Sequence, residues 1–172
     1  MPLGAGQVPD ASDYATIAAA SNKKPLVRLV QAAAQSIANN TTTALTFGTG
    51  SEDIDTDGYH SESSSNTRVT PTRAGIYKAT VTTAFAPSAA QTAVDAMVGK
   101  NGSITQPQVR LSPGTSNIAK AQMASALISI NGTGDYIEGF ARQISSPSAS
   151  LNTQVGSGFN SVLEVEFIRD LA

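Results

Sequence analysis

The ten residues from Ile76 to Phe85 constrain the fold of this chain more than any other stretch. Apolar and polar side chains alternate along it, and a period of two is typical of a strand with one face buried and the other in water. Gly75 begins the strand, and Pro71 lies upstream, where a missing N–H is tolerated only near a sheet edge or a strand end. The apolar positions are Tyr77, Ala79, Val81 and Phe85, and the polar positions are Lys78, Thr80 and Thr82.

Turn signals separate several further stretches of this kind. Asn101-Gly102 is a strong hairpin signal, and Asn131-Gly-Thr-Gly is a second turn. Eight or nine short strands with almost no helix predict an all-β fold, a two-sheet antiparallel β-sandwich. The other predicted strands are 25–34 with both faces covered, 43–47, 92–98, 118–130, 136–144 and 159–167, the last with Leu163, Val165 and Phe167 on its buried face.

The N-terminal segment, residues 1–24, has a different composition. Residues 1–9 contain two Pro and two Gly, which predicts a tail, and Asp10 is a good N-cap for a short helix that ends at Asn22. Tyr14, Ile17 and Ala18 share one face of that helix. A helix of about ten residues is marginal alone. Two interpretations stay open: a frayed leader, or an anchor that docks the domain of residues 25–172 onto another protein.

The composition excludes several classes of protein. A length of 172 residues with 40% apolar content suits one packed domain. Only 14% of residues are charged and the net charge is −2, so nucleic acid and anionic membrane are not expected partners. The chain has no Cys, no secretory signal and no run near the ~18 apolar residues of a membrane span. These features predict a soluble protein that is synthesised in the cytoplasm.

The acidic stretch that begins at Asp53 matches the first half of a calcium-binding loop. Asp53, Asp55 and Asp57 alternate and are followed by Gly58, as in an EF-hand, where such carboxylates converge on one cation. The match fails further on, because Ser64 stands where a bidentate Glu is required. The favoured interpretation is a solvated turn in which the Asp side chains accept backbone hydrogen bonds, so no metal and no cofactor is expected.

His60 is the only histidine, and it lies beside Ser61. A catalytic triad needs its members to converge from rigid elements, which neighbours on one loop seldom do. His60 is therefore expected to hydrogen-bond to backbone, no catalytic residue is predicted, and the protein is not expected to be an enzyme.

Several short motifs carry a resemblance to a known family. They are Asp55–His60, Val69–Tyr77, Val98–Gly102, Gly134–Glu138 and Phe159–Phe167. In this order they resemble the complement-q and tumour-necrosis-factor jelly rolls, and most of all the branch found in virion proteins of tailed bacteriophages. The resemblance covers roughly residues 25–172. It implies a jelly roll whose relatives are trimers.

The predicted strand 136–144 suggests where a trimer would form. Tyr136, Glu138, Phe140 and Arg142 share one face, while the opposite face carries small and aliphatic residues that can pack into the sandwich. Aromatic residues are enriched at the cores of interfaces. These four residues are therefore the predicted homotrimer interface, with Glu138 and Arg142 as a candidate ion pair. The alternative is that they are ordinary surface or core residues.

The resemblance also implies a function. The expectation is a non-enzymatic structural protein on the outer surface of a virion, a capsid decoration protein that residues 1–24 dock onto the major capsid protein or another virion protein. The alternative is a minor tail or receptor-binding module that recognises the host surface, with a host-surface glycan as an open candidate ligand. A location on the capsid head is preferred to one on the tail, because residues 1–24 contain no heptad or collagen-like repeat that could build the shaft of a tail fibre.

Overall fold

The computed structural model describes residues 24–105, 109–112, 117–156 and 158–171, and within those ranges every regular element is a β-strand. The strands are β1 Leu26–Val30, β2 Ser36–Ile37, β3 Thr43–Ala44, β4 Glu52–Asp55, β5 Arg68–Val69, β6 Gly75–Phe85, β7 Gln91–Lys100, β8 Ser103–Ile104, β9 Val109–Leu111, β10 Lys120–Ile130, β11 Ile137–Ser145, β12 Leu151–Asn152 and β13 Val162–Arg169.

Two antiparallel sheets form the sandwich. The first sheet has the order β10-β6-β13-β1-β4, so β10 is its outermost strand on one side and β4 on the other. The second sheet has the order β3-β11-β7-β8, with β5 added to β11 and β9 added to β7. A short β2–β12 ladder stands apart from both. The predicted all-β antiparallel β-sandwich is confirmed.

The core lies between the inward faces of the two sheets. Tyr77, Ala79 and Val81 of β6 are fully buried, whereas Lys78 between them is exposed, as the alternation predicts. The closing strand β13 also behaves as predicted, with Leu163, Val165 and Phe167 inward and Glu164 and Glu166 outward. In a two-layer sandwich, this alternation leaves one face of each sheet free for solvent or for a partner.

Two glycines matter for how the sheets close. At Asn101-Gly102 both residues have positive φ, 53° and 77°, as the two-residue turn between β7 and β8 requires. This confirms the predicted hairpin. Gly139 on β11 faces the core, where an added Cβ would lie 2.6 Å from Cγ2 of Val81. The sheets approach closely at this point because β11 has no side chain there.

Three expectations about local structure need correction or stay open. The predicted cover on both faces of β1 is wrong, because Leu26 and Val30 on its outward side are only half-buried. The predicted strand at 43–47 is shorter, and only Thr43–Ala44 pairs, although Leu45 and Phe47 are fully buried. The predicted helix with Tyr14, Ile17 and Ala18 lies outside the described residues. Within the described ranges, no helix meets the length and hydropathy that a membrane crossing needs.

Candidate functional site

The predicted interface residues lie on the outward face of the second sheet. On β11, Glu138, Phe140 and Arg142 pair with Gly99, Met97 and Asp95 of β7, and residues directly opposite each other share a face. Tyr136 precedes β11, and the guanidinium carbon of Arg68 lies 4.0 Å from the centre of its ring. The structure therefore brings the four residues to one surface, as the alternation predicts.

Two of the four residues are already covered in the single chain. Phe140 is only 8% exposed in the single chain and lies against Gly99, where an added Cβ would collide with its ring. Glu138 is 5% exposed and accepts a 2.7 Å hydrogen bond from the hydroxyl of Thr67. Neither side chain needs a neighbouring subunit to leave water. Whether the four residues meet another copy stays a prediction.

In the single chain the guanidinium of Arg142 is directed at Asp95, and its pairing with Glu138 at a trimer interface stays a prediction. Its Nε donates to Oδ2 of Asp95 at 2.7 Å, and Arg110 of β9 donates to both carboxylate oxygens at 2.9 and 3.2 Å. Asp95 is fully buried, so the two arginines hold a carboxylate that water cannot reach. This cluster fastens β9 and β11 to the two sides of β7.

The three aspartates of the candidate calcium loop are directed at different partners. Asp53 pairs with Arg28 of β1. Asp55 accepts the backbone N–H of His60 at 2.8 Å and that of Asp57 at 3.3 Å. Asp57 accepts the hydroxyl of Thr56 at 2.7 Å. This is the hydrogen-bonded turn that the favoured interpretation describes.

Glu62 is also engaged by backbone. Its Oε1 accepts the N–H groups of Ser51 at 2.8 Å and Glu52 at 3.0 Å. These bonds, first among them the one from Glu52, lower the pKa of the Glu62 carboxyl. Across the described ranges, no three acidic or histidine side chains are grouped so that they could share a metal ion.

His60 joins three segments of backbone, which confirms the expectation that it hydrogen-bonds to main chain. Its ring lies between two carbonyl oxygens, with Nδ1 2.9 Å from the oxygen of Arg68 and Nε2 2.8 Å from that of Phe47. Ser61 bonds instead to neighbouring serine hydroxyls. Both ring nitrogens are occupied, so the pair has no geometry for nucleophilic catalysis.

Asp135 connects two of the motifs that carry the family resemblance. Its Oδ2 lies 2.7 Å from Nζ of Lys100, and its Oδ1 accepts from Nδ2 of Asn101 at 2.8 Å. The backbone N–H of Asn131 donates to the same carboxylate at 2.9 Å. These contacts, led by the hydrogen bond from Lys100, lower the pKa of Asp135 to about 2. The turn before β11 is thus tied to the β7–β8 hairpin by one ionised group.

We expect Asp135 to make the fold acid-sensitive. A lowered pKa in the folded state adds stability that is complete above the ordinary value of 3.8 and is lost as the pH falls towards about 2. Denaturant unfolding of the wild type and of Asp135→Asn at a series of pH values measures this contribution. The stability difference between the two proteins should shrink between pH 4 and pH 2. An equal difference at pH 5 and pH 2 would contradict the assignment.

Sequence reasoning missed the outward face of the first sheet. On β10, Leu127 is 66% exposed and Met123 is 59% exposed, and they are among the most exposed large apolar side chains of the described residues. Their register partners on β6 are Lys78 and Thr82. The signal is present in the sequence, because β10 has apolar residues on both faces: Ala124, Ala126, Ile128 and Ile130 inward, and Met123 and Leu127 outward.

Comparison with solved structures agrees with this architecture. Murine APRIL at pH 5.0 superimposes with a TM-score of 0.61 and 14% identity, over 85% of this chain and 100% of that chain. The Eiger TNF of S. frugiperda gives a TM-score of 0.58 and 8% identity, over 87% and 95%. The globular domain of zebrafish complement 1qA gives 0.53 and 13%, over 86% and 100%.

These likenesses establish the fold. The sandwich is a jelly roll of the type seen in tumour-necrosis-factor and complement-q globular domains, as the motifs imply. The sequence itself matches no family model and no curated protein. At identities of 14% and below, the agreement lies in strand order and layering, and function must be argued from this chain's own surfaces.

Proposed function

We propose that this protein is a non-enzymatic structural protein of a tailed bacteriophage, a homotrimer on the outer surface of the virion. Within that role, the favoured assignment is a capsid decoration protein that residues 1–24 dock onto the major capsid protein. The virion assignment depends on the motif resemblance over residues 25–172, and the trimer has support from the surface of the molecule.

The observation that carries the proposal is the outward face of β10. Met123 and Leu127 stand on the outermost strand of the first sheet and are each more than half exposed. Large apolar side chains that are exposed on the same face favour contact with another protein. A protein whose task is assembly needs such a face.

The polar side chains also support a structural role. Polar side chains that could serve catalysis or metal binding are instead bonded within the protein. His60 lies between two carbonyl oxygens, Asp55 accepts hydrogen bonds from backbone N–H groups, and Asp95 pairs with two arginines. These hydrogen bonds and ion pairs make the jelly roll more rigid. A rigid body suits a component of a particle exposed to the environment.

Deletion of residues 1–24 tests the anchor and the location together. The deleted protein and the full chain are each mixed with particles of the parent phage prepared without this protein. We expect the full chain to cosediment with the particles in many copies and the deleted protein to stay in the supernatant. Light scattering on the deleted protein should still give the mass of a trimer, because the proposed self-contact lies in the jelly roll.

Two results would contradict the decoration assignment. Cosedimentation of the deleted protein would show that another surface attaches it. Binding of the full chain in only a few copies per particle, at the tail, would favour the minor tail module. A trial with host cells then serves as the control, since a receptor-binding module should bind cells and a decoration protein should not.

A further inference from the structure

We propose that His60 carries a hydrogen on both ring nitrogens in the folded protein and is a charged, pH-sensitive clamp on the loop between β4 and β5. The side chain is nearly buried, and its Nδ1 and Nε2 lie 2.9 and 2.8 Å from the backbone carbonyl oxygens of Arg68 and Phe47. The backbone N–H of His60 donates to the carboxylate of Asp55 at 2.8 Å. One residue thus joins the loop to β4, to β5 and to the segment that precedes β4.

The two carbonyl oxygens decide the state of the ring. A carbonyl oxygen only accepts hydrogen bonds, and a neutral imidazole has a hydrogen on one nitrogen and a lone pair on the other. A neutral His60 would therefore direct a lone pair at one of the two carbonyl oxygens at hydrogen-bonding distance. Turning the ring over would place carbon atoms at both positions, so it does not supply the second donor. Both contacts are attractive only when both nitrogens carry hydrogen.

The carboxylates around His60 favour the charged ring. Asp55 of β4 bonds to its backbone N–H, and Glu52 of β4 and Glu62 of the loop both lie within electrostatic reach of His60. Burial acts in the opposite direction, because it disfavours a cation. The buried ring is compensated by two charge-assisted hydrogen bonds and by three neighbouring negative charges.

Arg68 of β5 is the cation that could oppose this charge. Its guanidinium is directed away from the clamp, with Nε 3.8 Å from the carboxylate of Glu138 on β11 and the guanidinium carbon over the ring of Tyr136. Only the carbonyl oxygen of Arg68 faces His60 among its printed hydrogen bonds. The positive charge of Arg68 is thus partly balanced on the second sheet.

The clamp responds to pH in one direction. A histidine in an unfolded chain loses its second hydrogen near pH 6.5. Because the folded chain holds both hydrogens, the contribution of His60 to stability is complete below about pH 6.5 and is lost as the pH rises above that value. The loop between β4 and β5 should therefore be held most firmly in mildly acidic solution and loosen in alkaline solution.

Nuclear magnetic resonance of the ring nitrogens tests the charge on His60. It is the only histidine in the sequence, so the full chain with isotope-labelled histidine gives one unambiguous pair of signals. We expect two protonated nitrogens at about pH 7.5, where a free histidine is mostly neutral, and a change to one protonated nitrogen at higher pH. A ring with one unprotonated nitrogen at about pH 7.5 would overturn the clamp, and this result needs no variant to fold.

Two matched variants test the source of the charge. Glu62→Gln removes one neighbouring charge and keeps an oxygen that can accept the same N–H groups of Ser51 and Glu52. In this variant the ring should lose its second hydrogen at a lower pH than in the wild type. Asp170→Asn removes a carboxylate that is 68% exposed, after the end of β13, and should leave the transition unchanged. Equal transitions in the wild type and in Glu62→Gln, or equal shifts in both variants, would contradict the local role of the carboxylates.

His60→Gln tests the effect on stability, because a glutamine side chain does not titrate. Urea unfolding of the wild type and of this variant gives the stability difference at each pH. We expect that difference to be larger at about pH 6 than at about pH 9. An equal difference at both values would leave His60 a structural role only and overturn the pH-sensitive clamp.

Discussion

Tyr77→Ala is expected to cause a large loss of stability. Tyr77 lies near the start of β6, is fully buried, and meets the ring of Phe167 edge-on at 5.3 Å between ring centres. Truncating a buried aromatic side chain costs about 3–5 kcal/mol, because apolar contacts are lost and a cavity stays behind. Domains of this kind have about 5–15 kcal/mol in total. Urea unfolding at one fixed protein concentration measures the loss.

Tyr77→Phe is the matched control for that result. It keeps the ring and its contact with Phe167 and removes only the hydroxyl, which donates a 2.9 Å hydrogen bond to the carbonyl oxygen of Arg73. One such bond contributes about 1 kcal/mol net. The expected order is therefore wild type, then Tyr77→Phe, then Tyr77→Ala. If the two variants unfold at the same urea concentration, the packing of the ring is not what makes Tyr77 important.

Asp95→Ala is the second large effect, with an expected loss of about 3 kcal/mol. The variant leaves the guanidinium groups of Arg110 and Arg142 facing each other without the fully buried carboxylate that both contact. Removing one partner of a buried ion pair costs about 3–5 kcal/mol, and the lower end applies because Arg110 is 41% exposed. Urea unfolding measures the change.

An exposed ion pair supplies the comparison for Asp95. Asp170 accepts three hydrogen bonds from Arg73, at 2.9, 3.0 and 3.1 Å, but its side chain is 68% exposed. Pairs in water contribute about 0–1 kcal/mol, so Asp170→Ala should change stability by less than about 1 kcal/mol. Equal losses in Asp95→Ala and Asp170→Ala would mean that burial does not strengthen the Asp95 cluster.

The fold class and the buried faces of the strands follow from local patterns in the sequence. Alternation along β6 and β13 requires one buried face, because successive side chains of a strand point to opposite sides. The Asn101-Gly102 hairpin was also predictable, because its two positive φ angles are favourable for few other residue pairs. His60 could be assigned to a loop contact, since a lone histidine beside a serine has no rigid partner.

Which outward side chains stay exposed to solvent depends on contacts between segments that are distant in sequence. Four side chains occupy outward positions of their strands, and the alternating pattern predicts the same exposure for all of them: Phe140, Glu138, Met123 and Leu127. Phe140 lies against Gly99 and Glu138 accepts a hydrogen bond from Thr67, and both neighbours are distant in sequence. Met123 and Leu127 stay exposed on the outward face of β10. Strand order is set by long-range packing, which a local period of two does not encode.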